Sequence, residues 1–498
     1  MNSTDAMYGA APKRFQMPLC DKIISTEVSG DYTLPDYQPE IRRVLRVDAT
    51  VLPPAKYIGG TNAEFNGTLD YQMLYIGSDG ALYSAPLSAE YAFNAPLDLS
   101  GDFDLNEGVL LLVDSSDENI TTRVSGPRKL SIKCRLLSHV RAYGMMVAEE
   151  RCSGETDPMS IERLMGSTES SMLSSEYGET IDLSEEINGI SENVRVISAC
   201  ADVSSCEVTP SDGSADIRGE ISLILLVCQD EGGKAETIEK RIPFNDQVEL
   251  DGITPASFCS SRTHISDISI NVDEGKIVCS LSIIPELRAY RNQPLEYTKD
   301  LYSTKNNTES AYRSYTIPKF ITNSRGNFSQ SERIPLSETS LQQDSRIVDM
   351  RCRPSVKSYD IDKNKVILLG ECKYSMITEA DGEYSTYEQM IPFRYETDGG
   401  ASDIKSVFAT VSPISCRGRI DGNNLSIDTE LSVFSDLFGS NNTTMLSEVR
   451  FGESIDHSSG DIVICFPSSD DTVWSVAKRY AVPASRLSEA TNYMVINS

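Results

Sequence analysis

Residues 67–80 read GTLDYQMLYIGSDG, and this stretch decides the fold. After Gly67, the apolar residues Leu69, Tyr71, Met73 and Tyr75 fall at every second position, the period of a β-strand with one buried face. The run ends at Gly77-Ser78-Asp79-Gly80, and an Asp-Gly pair supplies the positive φ that a tight hairpin turn requires. The pattern occurs twice more. Gly219 precedes Ile221, Leu223 and Leu225, and Gly370 precedes Cys372, Tyr374 and Met376, so the opening glycines stand 152 and 151 residues apart. Turn signals follow at Asp230-Glu231-Gly232-Gly233 and at Ala380-Asp381-Gly382.

Further landmarks keep the same period. The return strand closes on Phe93, on Ile242-Pro243-Phe244 and on Ile391-Pro392-Phe393. A last strand runs through Leu130, Ile132, Cys134 and Leu136 to Val140-Arg141-Ala142-Tyr143. It returns as Ile277, Cys279, Leu281 and Ile283 leading to Leu287-Arg288-Ala289-Tyr290, and as Ile427, Thr429, Leu431 and Val433 leading to Leu437-Phe438, where the Arg-Ala-Tyr triplet is lost. A repeat of this length means a triplicated unit. The expected fold class is mainly β, with three tandem antiparallel β-sandwich or barrel-like modules at residues 17–145, 175–292 and 328–450. Polar stretches at about 144–177 and 291–331 are expected to connect them. The first carries Ile161, Leu164 and Met165 at a spacing that predicts one short amphipathic helix.

With 45 Lys plus Arg against 74 Asp plus Glu, the net charge is −29. Such a surface repels phosphate backbones and anionic membranes, so nucleic acid is excluded as a general partner. No apolar run approaches the ~18 residues of a membrane helix, and residues 1–19 lack a signal-peptide core; no membrane insertion is expected, and the product should stay in the compartment where it is made. Twelve cysteines are scattered singly, most of them inside strand-like runs, without a Cys-x-x-Cys pair. They read as buried free thiols rather than as a zinc site.

Catalytic signatures are missing from the sequence. His139, His264 and His457 read as isolated surface histidines, and Gly59-Gly60 and Gly399-Gly400 lack the Lys-Ser/Thr of a phosphate loop. Acidic pairs such as Glu149-Glu150 and Glu185-Glu186 fit a solvated surface in so acidic a chain. Neither an enzyme nor a cofactor is expected.

Residues 461–498 differ in kind. Ile462 to Cys465 read as a strand, Thr472 is placed to cap a helix with Val473, Val476, Ala477 and Tyr480 along its apolar stripe, and residues 483–490 offer a second helix with Leu487 inward. The segment Asp471-Thr472-Val473-Trp474-Ser475-Val476-Ala477-Lys478-Arg479-Tyr480 resembles the LysM family, a small α+β (βααβ) domain. By that resemblance Asp471, Thr472 and Val473 line one side of a groove for N-acetylglucosamine-containing glycan or a protein partner, and Asn492 lines the other. Trp474, the only tryptophan, sits where a core role fits better than a sugar platform. Asp470 replaces the family's turn glycine and the closing strand in 493–498 is short, so the domain is expected to be degenerate or incomplete.

The first repeat, with Tyr32-Thr33-Leu34-Pro35-Asp36-Tyr37-Gln38-Pro39-Glu40-Ile41 and Val44-Leu45-Arg46-Val47-Asp48-Ala49, resembles the DUF3794 or SPOCS family of spore-forming Firmicutes. The resemblance implies a non-enzymatic scaffold for spore-coat assembly in the mother-cell cytoplasm, at the forespore surface. There the LysM-like domain would dock on the coat-basement morphogenetic ATPase, with other coat proteins as further partners. The alternative is a peptidoglycan-binding protein of the cell wall or spore cortex.

Overall fold

The computed structural model describes residues 10–190, 193–229, 234–273, 275–400, 403–456 and 468–490. Among these the chain is mainly β. The first third holds β1 (Lys13–Thr33), β2 (Ile41–Val51), β3 (Ala55–Gly59), β4 (Asn62–Gly77), β5 (Leu82–Pro96), β6 (Val109–Gly126), β7 (Lys129–Ala148) and β8 (Arg151–Ser153). Then follow β9 (Ile161–Tyr177), β10 (Ile181–Asn188), β11 (Val194–Pro210), β12 (Ser214–Gln229), β13 (Ala235–Glu249), β14 (Phe258–Asp273) and β15 (Lys276–Ser303). The last third holds β16 (Asn306–Pro335), β17 (Arg346–Asp362), β18 (Lys365–Ala380), β19 (Glu383–Asp398), β20 (Ser406–Asp421) and β21 (Asn424–Ser454), followed by helices α1 (Val473–Arg479) and α2 (Ala484–Ala490).

The strands form six open sheets, antiparallel except where β8 runs parallel to β21. Three sheets are hairpin triples: β11-β12-β13, β17-β18-β19, and β2-β4-β5, with β3 sharing the β2 edge of β4. In the other three, the last long strand of each third lies between an early strand and the one just before it: β1-β7-β6, β10-β15-β14 and β16-β21-β20. The apolar runs of the sequence repeat meet across these sheets. Leu69, Tyr71 and Met73 pack with Ile132, Cys134 and Leu136 in one buried cluster, and Ile221, Leu223 and Leu225 with Cys279, Leu281 and Ile283 in a second. Cys372, Tyr374 and Met376 do the same with Ile427 and Leu431. Fully burying one large apolar side chain contributes about 1.5–3 kcal/mol, so these clusters dominate stability.

The opening glycines have a steric reason. Gly219 lies opposite Phe244 and Gly370 opposite Phe393 in the ladders, and a Cβ on either glycine would meet the ring at 2.4 Å. Each phenylalanine folds over the bare backbone of its neighbour. In the first third Gly67 faces Tyr91 instead, while Phe93 stacks on Phe65 with ring centroids 4.9 Å apart, so Tyr91 and not Phe93 matches the two phenylalanines. The third hairpin turns on Asp381 and Gly382, with φ of 52° and 77°, as its Asp-Gly predicts; the turn expected at 230–233 lies outside the described residues.

Two expectations are corrected. The polar connectors are strands: β9 pairs with the distal part of β15 from Tyr177–Glu286 to Ile161–Ser303, and β16 pairs with β21 along its whole length. Ile161, Leu164 and Met165 therefore lie on a strand and not on a helix, because β15 offers residues 161–165 a ladder of backbone partners. A set of bonds also joins the sheet groups head to tail. Arg195 donates to the Leu82 carbonyl at 2.9 Å, Arg346 to the Ala235 carbonyl at 2.9 Å, and Arg43 to the Tyr384 carbonyl. In the reverse direction Ser84 donates to the Ile197 carbonyl, Thr237 to that of Val348 at 2.6 Å, and Thr386 to that of Leu45 at 2.9 Å. The first third thus bonds to the second, the second to the third, and the third back to the first. A head-to-tail contact that returns to its start makes a ring.

Candidate functional site

Two places concentrate polar chemistry: the C-terminal helices and the centre of the ring. At the helices, Thr472 caps α1 by accepting from the Ser475 amide at 3.1 Å, and the Ser475 hydroxyl accepts from the Thr472 amide at 2.9 Å, a reciprocal box that satisfies two orphan amides. Asp471 is held by Arg479 at 2.6 Å and by the Ser468 amide at 3.1 Å, and these hydrogen bonds lower its carboxyl to about 2. Val473 is exposed. Of the four expected groove residues, the structure brings Asp471, Thr472 and Val473 together at the start of α1; Asn492 lies outside the described residues, as do His457, Cys465 and the strand expected at 462–465.

Trp474 points away from that turn. Its ring meets Tyr302 edge-on at 4.9 Å, and its Nε1 donates to Asp300 at 2.8 Å. Lys478 donates to the other oxygen of Asp300 at 2.6 Å, Tyr312 donates there at 2.7 Å, and the Tyr302 hydroxyl donates to the Val482 carbonyl at 2.7 Å. The helix pair is thereby fixed to the β15–β16 hairpin. Sequence reasoning assigned Trp474 to packing and missed its partners, because Asp300, Tyr302 and Tyr312 fall in the stretch read as a connector.

The ring encloses a chamber of about 1970 Å³ with walls from all three sheet groups. Apolar clusters flank it where the groups meet. One holds Leu45, Ile197 and Val348 with Leu74, Leu226 and Ile377, and the other Leu112, Leu173, Tyr290 and Phe320 with Tyr143 and Phe438 beside them. Inside, charge is organised in two networks. In the first, Arg46 joins Asp48 at 2.8 Å and also Asp349, while Arg353 reaches Asp117 at 2.6 Å and Asp48 at 3.2 Å. Burial works against ionising Asp48, but Arg46, Arg351 and Arg353 outweigh it and hold its carboxyl well below the usual range.

In the second network Asp114 lies between Arg262, Arg288 (3.0 Å) and Arg141 (3.6 Å), and Glu286 is held by Arg288 at 2.9 Å and Lys56 at 3.3 Å. Both carboxyls are buried, which opposes ionisation, yet the neighbouring cations depress them. Arg141 also lies over the Phe408 ring at 4.0 Å, and Tyr290 donates to Asp436 at 3.0 Å. His264 is not a surface residue: it lies half-buried in the chamber wall, 3.9 Å from Glu286, and burial depresses its pKa. His139 pairs with Asp21 at 2.6 Å.

Eleven of the cysteines are described and are free thiols, eight of them buried, as the strand-like runs predict. Among the described residues no group of three or more His, Cys, Asp or Glu side chains could hold a metal ion, and no helix is long and apolar enough to cross a membrane. The chamber escaped sequence reasoning because its residues lie about 150 positions apart; the signal was present in Arg46, Asp48, Asp349, Arg351 and Arg353, charges at alternate positions of the chain. No family model, no curated protein and no solved structure matches this chain.

Proposed function

We propose that the protein is a non-enzymatic assembly scaffold of the spore envelope, built from three copies of one SPOCS-like β module and a LysM-like C-terminal domain. The observation that carries this reading is the ring of equivalent bonds, in which Arg43, Arg195 and Arg346 each grip the carbonyl of a neighbouring sheet group. A ring closed in this way holds three related surfaces at fixed angles, and multivalent presentation raises avidity for a layered partner without any new contact. The C-terminal helices are fixed to the same body through Trp474 and Tyr302, which suits a domain that supplies the address. The carboxylates Asp48, Asp114 and Glu286 are committed to ion pairs, which supports a structural rather than a hydrolytic role for the chamber.

In this reading the protein acts in the mother cell at the forespore surface, with the coat-basement morphogenetic ATPase and other coat proteins as partners. The Trp474 ring is turned to Tyr302 and offers no platform to a sugar, which favours protein docking over glycan. The test is a fluorescent fusion lacking residues 461–498, followed through sporulation. Loss of the forespore cap supports the docking role; a cap that still forms overturns it. Retention of the intact protein on purified cell wall, dependent on Asp471, would favour peptidoglycan instead.

A further inference from the structure

In the first charge network one cation makes no hydrogen bond. Arg351 is 7% exposed and lines the chamber, yet none of its Nε, Nη1 and Nη2 atoms makes a hydrogen bond. Its nearest carboxylate oxygen, Asp349 Oδ2, is 3.5 Å from Nε and is already taken by Arg46. Asp48 is shared by Arg46 and Arg353. Directly across the β17–β18 ladder from Arg351 stands Ser375, also lining the chamber, 8% exposed and with an unbonded hydroxyl. Ser198, on the neighbouring sheet group, is a third residue lining the chamber with an unbonded polar atom.

A buried guanidinium whose donors make no hydrogen bond is costly, and its planar fork matches two oxygens of one oxyanion. We propose that the chamber binds a small oxyanion, a carboxylate or phosphate group, on the guanidinium of Arg351 with the Ser375 hydroxyl as a second donor. The chamber reaches solvent, since the exposed residues Ile23 (69%) and Met390 (47%) also line it, and its volume leaves room for a larger molecule carrying that group. This site is independent of the scaffold role and of the C-terminal helices.

The test is calorimetric titration of the full chain with inorganic phosphate and, separately, with malonate, in chloride buffer at constant ionic strength. Saturable binding of either is expected, and the two arms distinguish a phosphate from a carboxylate ligand. Arg351→Met should weaken it about tenfold or more, and Ser375→Ala severalfold, the scale of charge-assisted and neutral hydrogen bonds. No saturable binding of either oxyanion overturns the proposal, as does unchanged affinity in Arg351→Met. If that variant does not fold, unchanged affinity in Ser375→Ala overturns it.

Discussion

Asp436 stands where the third sequence repeat breaks the Arg-Ala-Tyr pattern, at the position that holds Arg141 in the first repeat and Arg288 in the second. The break has a physical reason. All three positions converge at the ring centre, where a third buried guanidinium would add repulsion, whereas a carboxyl accepts from Tyr290 and faces the two arginines. Burial is nevertheless the larger influence, and it raises Asp436 from 3.8 to about 6 despite Arg141 and Arg288. A raised pKa means that the folded protein still holds a proton between about pH 4 and 6 after the unfolded chain has lost it. Stability from this group is therefore present in acid and declines as pH rises through that window, by on the order of 3 kcal/mol. Asp436→Asn keeps the acceptor for Tyr290 and cannot ionise. Urea unfolding at pH 4.5 and 6.5 should show the variant gaining on the wild type as pH rises; parallel behaviour at both pH values would contradict the assignment. The depressed carboxyls Asp48, Asp114 and Glu286 act with the opposite sign, losing stability on acidification, but they are common to both proteins and cancel in the comparison.

At the scale of the element, α1 is a seven-residue helix, too short to persist on propensity alone. Its order comes from the Thr472–Ser475 box and from its seat on Asp300 and Tyr302. Trp474→Ala removes the edge-on ring contact and one hydrogen bond to Asp300, so the helix should open far more often. Trypsin should then cut after Lys478 or Arg479 about tenfold faster or more, since cleavage follows the population of the open form; an unchanged rate would mean that the seat does not hold the helix. The same comparison shows what the sequence makes legible. The hairpins could be read because turn chemistry and alternation agree, as at Asp381-Gly382 after the apolar run of β18. The helices α1 and α2 could be read because the Thr472 cap and the stripe are local. The long outer strands could not: in the thirty residues of β16 only Tyr315, Ile317 and Phe320 are buried, amid polar and half-buried residues, and only the partner β21, a hundred or so residues away, gives that backbone its ladder. The spacing of Ile161, Leu164 and Met165 fits a helix as well as a strand, and the pairing with β15 decides for the strand.

For the whole molecule, the closing seam between the last and first thirds sets how unfolding proceeds. Tandem units that touch only their chain neighbours can unfold separately, but a ring makes the third unit a neighbour of the first. The seam is built on Arg46 with Asp349, both buried, beside Arg353 with Asp48 and Asp117 and the Arg43 bond to Tyr384. Asp349→Ala leaves Arg46 with one of its two carboxylates gone and should cost about 3–5 kcal/mol, while joint replacement by Arg46→Met and Asp349→Leu should recover most of the loss. The tryptophan signal reports the seat of α1 on β15, whereas far-ultraviolet dichroism reports all the strands. If the ring unfolds as one unit, Asp349→Ala shifts both transitions to lower urea together and they remain coincident. If the thirds are independent, the tryptophan transition, which arises on the second and third sheet groups, separates from the dichroism transition. Separation in the wild type itself would mean that the seam contributes little, and that the three surfaces are not held at fixed angles.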